Sequence, residues 1–380
     1  MSITMNNLVA TRITTHETFA TLRDEWNDLL ERSKAKSVFL TWEWLYLWHR
    51  HLGQDVELSL IVIRNAAGSL IGIAPFCISR QSAGIRALRF MGSLSVGSEY
   101  LDVICDPACE KEVAVLVTET LLADRGRWDM LVLSDVLESA LVLRVIQGEL
   151  RARKTLLDLA PAQQCPYLSL PDRHDAFLQS LGGETRSALK RRTRKLTQMG
   201  AEVGRVESAE ALTPQLETLF GLHGKRWGLR GRTGNLAQQH IREFHLDVAR
   251  HFLDKGWLWL YSLRLNDAIV ASLYTYRYGG KIYYYQSGFD PDWAAISPGF
   301  VLMGRCIEDA IGDKLTEFDY LRGLEAYKDR WTRTRRSTLT LTAVPAGRYR
   351  GMIYLRQKQL LRSVKRLIKR MLPRSLLPRH

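Results

Sequence analysis

The alternation of apolar and polar positions divides the chain into two runs of elements that follow the same order. Glu17–Ser33 places Phe19, Leu22, Trp26, Leu29 and Leu30 at helical spacing, and a second short helix is expected over Trp42–His51. Two apolar runs, Leu58–Ile63 and Leu70–Ile78, flank a turn with Asn65 and Gly68, which is a hairpin signature. Strands are expected at Ala87–Met91, Leu101–Cys105 and Met130–Ser134, with helices near Glu110–Ala123 and Ser139–Arg151. The second run opens with a strand at Tyr167–Leu170. Helices follow at Asp175–Leu181, Glu184–Met199, Ala209–Trp227 and Ala237–Lys255. A meander of Leu258–Leu265, Ile269–Tyr278 and Lys281–Ser287 turns through Asn266-Asp267 and Gly279-Gly280. Pro298-Gly299 starts a helix to about Gly312, Glu317–Leu321 is a strand, Glu325–Arg330 a short helix, and Ser337–Val344 alternates as a strand does.

Helix, helix, meander, helix, strand, helix, strand is an α+β order, and its recurrence points to two related domains, each a mixed central sheet flanked by helices. The length of 380 residues fits two domains of roughly 150–200 residues. The expected boundaries are 1–165, 166–347 and a tail at 348–380. With 46% apolar and 25% charged residues the composition is globular, which excludes a disordered or multi-span membrane chain. The N-terminus lacks the pattern of a secretory signal. Five cysteines, Cys77, Cys105, Cys109, Cys165 and Cys306, show no zinc-type spacing and read as reduced structural thiols in the cytoplasm. No metal site is evident.

Charge changes this picture at one end only. The formal net charge is +14, yet residues 348–380 hold eleven Lys/Arg and no Asp/Glu. Without them the chain carries 43 basic and 40 acidic residues, so a nearly neutral body bears a basic tail. Within 352–372, Ile353, Leu360, Val364, Leu367, Ile368 and Met371 share one arc of a helix, and Arg362, Lys365, Arg366, Lys369 and Arg370 the other. Such a helix suits an anionic membrane surface, and equally suits docking its apolar stripe on the body.

The segment 281–331, KIYYYQSGFDPDWAAISPGFVLMGRCIEDAIGDKLTEFDYLRGLEAYKDRW, resembles the GNAT acetyltransferases of the CelD/BcsL type, associated with polysaccharide biosynthesis, and the related FemAB aminoacyl transferases. The resemblance rests on G-F-D after a Tyr-rich strand, S-P-G opening a helix, and F-D-Y-L-x-G-x-E-x-Y-K-x-x-W; G-S-E-Y-L-D in the first half adds to it. It implies tandem GNAT-like (acyl-CoA N-acyltransferase) domains and an acyl-CoA, such as acetyl-CoA, as co-substrate with no permanent cofactor. The acceptor it implies is an amine or hydroxyl of a sugar, nucleotide-sugar or lipid-linked glycan precursor in exopolysaccharide or cell-envelope biosynthesis. The protein would then be cytoplasmic or peripheral on the inner membrane face. Two alternatives stay open: FemAB-like transfer from aminoacyl-tRNA, the one reading that brings in nucleic acid, and a catalytically degenerate scaffold in polysaccharide assembly.

In GNAT proteins a strand splays from its neighbour beside a helix N-terminus whose free N–H groups suit a pyrophosphate. Here Lys281–Ser287 would be that strand, with Ser297 as N-cap, Pro298 at N1, and Gly299 and Phe300 at the phosphate. Tyr285 is the strand residue assigned to the cleft. The usual phosphate loop has an Arg/Gln and two or three close glycines, of which only Gly299 stands here; a well-capped helix is the plain reading. Asp319, Glu325, Tyr327 and Lys328 form the candidate catalytic set: Asp319 or Glu325 as base, Tyr327 to protonate the leaving thiolate, Lys328 to neutralise a phosphate or the oxyanion. The competing reading makes Glu325–Lys328 a helix pair and Asp319 a turn cap. Acceptor candidates are Glu99, Tyr100 and Asp102 at a strand start, and His223, Arg226 and Trp227 at a helix end; packing and capping explain both groups as well. The basic run Lys190–Lys195 would set Arg186, Lys190 and Arg194 along one stripe. Trp42, Trp44 and Trp48 read as packing.

Overall fold

A computed structural model describes residues 2–5, 7–81, 84–228 and 235–371; for Ser2, 226–228, Asn235 and 365–371 it describes the backbone alone. The chain divides into two compact units. Met1–Tyr46, Gly53–Gln163 and Ser337–His380 form the first, and Leu47–Leu52 with Gln164–Arg336 the second.

The first unit holds β1 (Ser2–Met5), β2 (Leu8–Ile13), β3 (Val56–Leu58), β4 (Leu60–Arg64), β5 (Leu70–Ala74), β6 (Phe76–Arg80), β7 (Arg86–Phe90), β8 (Ile104–Cys105) and β9 (Met130–Leu137). β10 (Leu156–Ser169) begins in the first unit and ends in the second. The second unit holds β11 (Glu202–Arg205), β12 (Leu258–Leu265), β13 (Ala268–Tyr278), β14 (Lys281–Phe289) and β15 (Glu317–Asp319). β16 (Arg335–Val344) carries the chain back to the first unit. The hairpin read from 58–78 exists, but each arm breaks in two. Ser59 separates β3 from β4, and Pro75 separates β5 from β6, where a residue without an N–H cannot continue the ladder. The outer halves join β1-β2-β4-β5-β8 and the inner halves β3-β6-β7-β9-β16.

The same pairing pattern occurs in both units. β6 is antiparallel to β7, β7 parallel to β9, and β9 antiparallel to β16. β13 is antiparallel to β14, β14 parallel to β15, and β15 antiparallel to the last residues of β10. The tandem α+β expectation therefore stands, with a mixed sheet and flanking helices in each unit. The boundary differs: 337–344, read from sequence as the end of the second domain, pairs with β9 from Thr338↔Leu137 to Ala343↔Leu131. The strand expected at Leu101–Cys105 shortens to Ile104–Cys105, because Tyr100 turns to φ 58° and Asp102 bonds sideways.

In the second unit the helix Pro298–Gly312, the cleft helix, lays Leu302, Met303, Cys306, Ile307, Ala310 and Ile311 into a core with Leu273, Ile282, Tyr284 and Phe318. Gly304 lets Leu189 of the helix Gly183–Gln198 pack closely, since a Cβ there would stand 2.8 Å from a Leu189 methyl. This packing fixes the height of the cleft helix on the sheet. It sets its N-terminus beside β14.

Candidate active site

β14 and β15 pair at three positions, Lys281↔Glu317, Ile282↔Phe318 and Tyr283↔Asp319, after which β15 ends and β14 runs on to Phe289. The unpaired edge opens a gap. A bulge shapes it: Thr275 faces Tyr284 and Tyr274 faces Gln286, so Tyr285 is the extra residue. The bulge shifts the alternation by one, placing Tyr284 and Ser287 on the same side. Their hydroxyls are 2.6 Å apart, and Tyr327 Oη donates to Tyr284 Oη at 3.1 Å.

These hydroxyls line a cleft of about 440 Å³, with Phe289, Ser297, Pro298, Gly299, Phe300, Met303, Arg330 and Trp331 among its walls. Ser297, Gly299, Phe300 and Tyr327, all named from sequence, meet there. Ser297 does not cap as its position suggests. Its backbone is left-handed (φ 52°, ψ 59°), its Oγ donates to the Ala294 carbonyl at 3.4 Å, and no side chain caps the helix. The N-terminus therefore faces the cleft with its partial positive charge uncovered. A Cβ on Gly299 would meet nothing within 4 Å, so the cleft is open at that point. The guanidinium groups of Arg192 and Arg330 lie over the Phe300 ring at 5.6 and 5.8 Å, with Trp331 at 4.8 Å. The corresponding helix of the first unit, Glu110–Ala123, opens differently. No side chain caps it at Cys109 either, since Asp106 caps the preceding turn Pro107–Cys109 through the Ala108 N–H at 3.0 Å, but Glu110 and Glu112 sit in its first turn, so an anion is disfavoured there.

Other sequence candidates fall elsewhere. Tyr285 is turned to the opposite face by the bulge; its hydroxyl lies 3.3 Å from His245 Nε2, and Tyr284 lines the cleft instead. Asp319 is fully buried beside Arg336, and its Oδ1 accepts from the Leu321 N–H at 2.8 Å. Its strand neighbours Phe318 and Tyr320 belong to the core under the cleft, and alternation sends Asp319 the other way. Lys328 is buried, with Nζ on the Arg322 carbonyl at 2.7 Å, the Gly323 carbonyl at 3.3 Å and Glu325 at 2.9 Å. Lys328 and Glu325 thus brace the 322–328 loop that carries Tyr327, and neither carboxylate lines the cleft. His223 is buried within the helix Ala209–Gly228, against Gly288, where a Cβ would stand 2.7 Å from its backbone nitrogen. The side chains of Arg226 and Trp227 lie outside the described residues.

In the first unit Glu99, Tyr100 and Asp102 are all buried. Asp102 accepts from the backbone N–H groups of Val103 at 2.8 Å, Leu141 at 2.7 Å and Val142 at 3.1 Å, and so caps a helical turn. Burial pushes its carboxyl up from 3.8 to about 6 against those three bonds. The five cysteines are free, and burial pushes Cys77 and Cys105 up to about 12, far from a reactive thiolate.

Sequence reasoning assigned Tyr285 rather than its neighbour Tyr284 to the cleft and did not single out Ser287, Arg192 or Arg330. Arg330 and Trp331 stand in the D-R-W run at the end of the segment that carried the resemblance. Arg192 lies in the basic run, off the stripe of Arg186, Lys190 and Arg194.

Residues 183–329 match the family model of the acetyltransferase (GNAT) domain. That stretch contains β11 to β15, the bulge and the cleft helix. Residues 183–329 thus match a GNAT-type acetyltransferase domain. None of the curated proteins matches the sequence. Solved structures share the fold at low identity. FemX superposes with a TM-score of 0.59 at 12% identity, covering 88% of this chain and 96% of that one. The C-terminal domain of a putative lysylphosphatidylglycerol synthetase from Agrobacterium fabrum gives 0.53 at 12%, covering 89% and 95%. L-PGS from Bacillus licheniformis gives 0.51 at 12%, covering 85% and 92%. Among the described residues no helix is long and apolar enough to cross a membrane, and no group of three or more His, Cys, Asp or Glu could hold a metal ion.

Proposed function

We propose that the second unit takes an acyl-CoA into the cleft at the N-terminus of the cleft helix and transfers the acyl group directly to an amine or hydroxyl. The observation that carries this reading is the uncapped helix N-terminus, which opens on a cleft walled by three linked hydroxyls. The pyrophosphate would lie on the helix N–H groups near Gly299, with Arg192 and Arg330 beside Phe300 supplying positive charge. The apolar walls, Phe289 and Met303 among them, suit the acyl chain and pantetheine arm.

The acceptor attacks the thioester carbonyl, the C–S bond breaks, and the thiolate leaves. Tyr327 gives the thiolate its proton, and the proton lost by the acceptor returns along Ser287 and Tyr284 to Tyr327. The cleft walls include hydroxyls and no carboxylate, so this relay replaces the carboxylate base expected from the sequence. The acceptor class, a sugar, nucleotide-sugar or lipid-linked glycan precursor, follows the sequence resemblance to the polysaccharide-associated acetyltransferases.

The sequence resemblance to the FemAB transferases keeps a second reading, aminoacyl transfer from tRNA, and the scarcity of glycine before the cleft helix favours it. A transfer assay separates the two. Labelled acetyl-CoA and labelled aminoacyl-tRNA are each offered with amino sugars, nucleotide-sugars and lipid-linked glycans. Acyl transfer from CoA supports the proposal. Transfer from tRNA alone, with CoA inert, replaces it with the second reading.

A further inference from the structure

The tail helix Tyr349–Met371 docks on the first unit by a face other than the apolar stripe read from its sequence. Leu355 is fully buried with Ile85, Ala87, Met130, Val132 and Val344, and Met352 and Tyr354 pack around it. Gly351 comes so close to the Asp129 carbonyl that a Cβ would collide with it. Asp158 holds the next turns through Gln359 at 3.0 Å and Arg362 at 2.5 Å. At 100° per residue these docking groups occupy one half of the helix. The other half shows Tyr349, Ile353, Leu360, Leu361 and Val364 to solvent, at 72%, 59%, 65%, 62% and 43% exposure. They make up five of the nine large apolar side chains found exposed among the described residues, all on one helix. Exposed Arg350 and Arg356 stand at the two edges of that stripe.

We infer that this face lies on an anionic phospholipid bilayer and holds the enzyme at a membrane surface. The apolar stripe would enter the headgroup–acyl boundary, and the flanking cations would meet lipid phosphates. Charge selects this occupant. Residues 348–380 carry eleven Lys/Arg and no Asp/Glu, so a second copy of the same helix is repelled, whereas an anionic surface is attracted. A polyanion such as RNA would use the cations and leave the apolar stripe in water. The inference stands apart from the choice of acyl donor.

The test is co-sedimentation of the full chain with vesicles of phosphatidylcholine alone and of phosphatidylcholine with phosphatidylglycerol, at low and high salt. The expected result is binding to the anionic vesicles, weakened by salt, and little binding to the neutral ones. Ile353→Asp with Leu360→Asp keeps the docking face intact and is expected to lower vesicle affinity at least about tenfold with an unchanged melting temperature. Leu360→Trp gives an independent readout, a blue shift of its fluorescence on adding anionic vesicles. The inference is overturned by absence of binding to anionic vesicles, or by binding that the double variant retains. It is also overturned if the chain self-associates through this face, so that the double variant turns a dimer into a monomer without changing lipid binding.

Discussion

At the scale of single residues, the proposed chemistry rests on three hydroxyls and two guanidinium groups. Tyr327 is held over the cleft by its loop, whose shape depends on buried Lys328 saturating the carbonyls of Arg322 and Gly323. Removing the Tyr327 hydroxyl leaves its packing in place and takes the proton from the leaving thiolate. Tyr327→Phe is therefore expected to lower kcat roughly 100-fold with little change in KM for the acyl donor, read from steady-state kinetics. Asp102 makes a different prediction, about stability. Its folded carboxyl titrates at about 6, above the 3.8 of an unperturbed group, so the folded chain binds the proton more tightly than the unfolded chain. The favourable contribution is complete below pH 3.8, is lost as pH rises to about 6, and amounts to about 3 kcal/mol. Asp102→Asn cannot titrate, so the wild type's stability relative to this variant should fall between those pH values and level off above them. Chemical denaturation at several pH values measures it; a wild-type advantage that grows with pH would contradict the account.

At the scale of elements, the bulge in β14 and the entry to the cleft helix shape the site. Arg192 and Arg330 reach the Phe300 ring, in the first turn of the cleft helix, from different elements. Arg192→Ala combined with Arg330→Ala is expected to raise KM for the acyl donor about tenfold or more and leave kcat within a factor of about two. Elements with strong local signals were legible in the sequence: the meander 258–287, the helix from Pro298, and Asn266-Asp267 and Gly279-Gly280 as turns. The cleft was legible as a place, since Ser297, Gly299, Phe300 and Tyr327 all line it. The facing of individual side chains was not. A two-residue alternation cannot reveal a bulge, which exists only through the register of β14 against β13, so Tyr285 and Tyr284 exchanged places. Ser297 before Pro298 reads as a cap, but its left-handed backbone turns the hydroxyl back to Ala294. Asp319 lies on a three-residue strand, where being placed near the site says nothing about which side of the sheet the carboxylate takes.

At the scale of the whole molecule, the two units repeat one pairing pattern but differ at the helix that follows the splayed strand. The cleft helix has no acidic residue in its first turn, while the helix of the first unit carries Glu110 and Glu112 there. Under the proposed function, donor binding is expected in the second unit alone, one per chain. The chain order also hid the membership of 337–344, because a strand's partner is a long-range choice; β16 reads as the end of the second domain and pairs with β9. The measurement that bears most directly on this account is calorimetric titration of the full-length protein with acetyl-CoA and longer acyl-CoAs, beside a Gly299→Trp variant. The Gly299 Cβ position is open, so the indole would fill the cleft mouth without disturbing the core. The account predicts saturable binding of one acyl-CoA per chain, abolished in the variant with its melting temperature preserved. No binding of any acyl-CoA by the wild type, or equal binding by the variant, would contradict it.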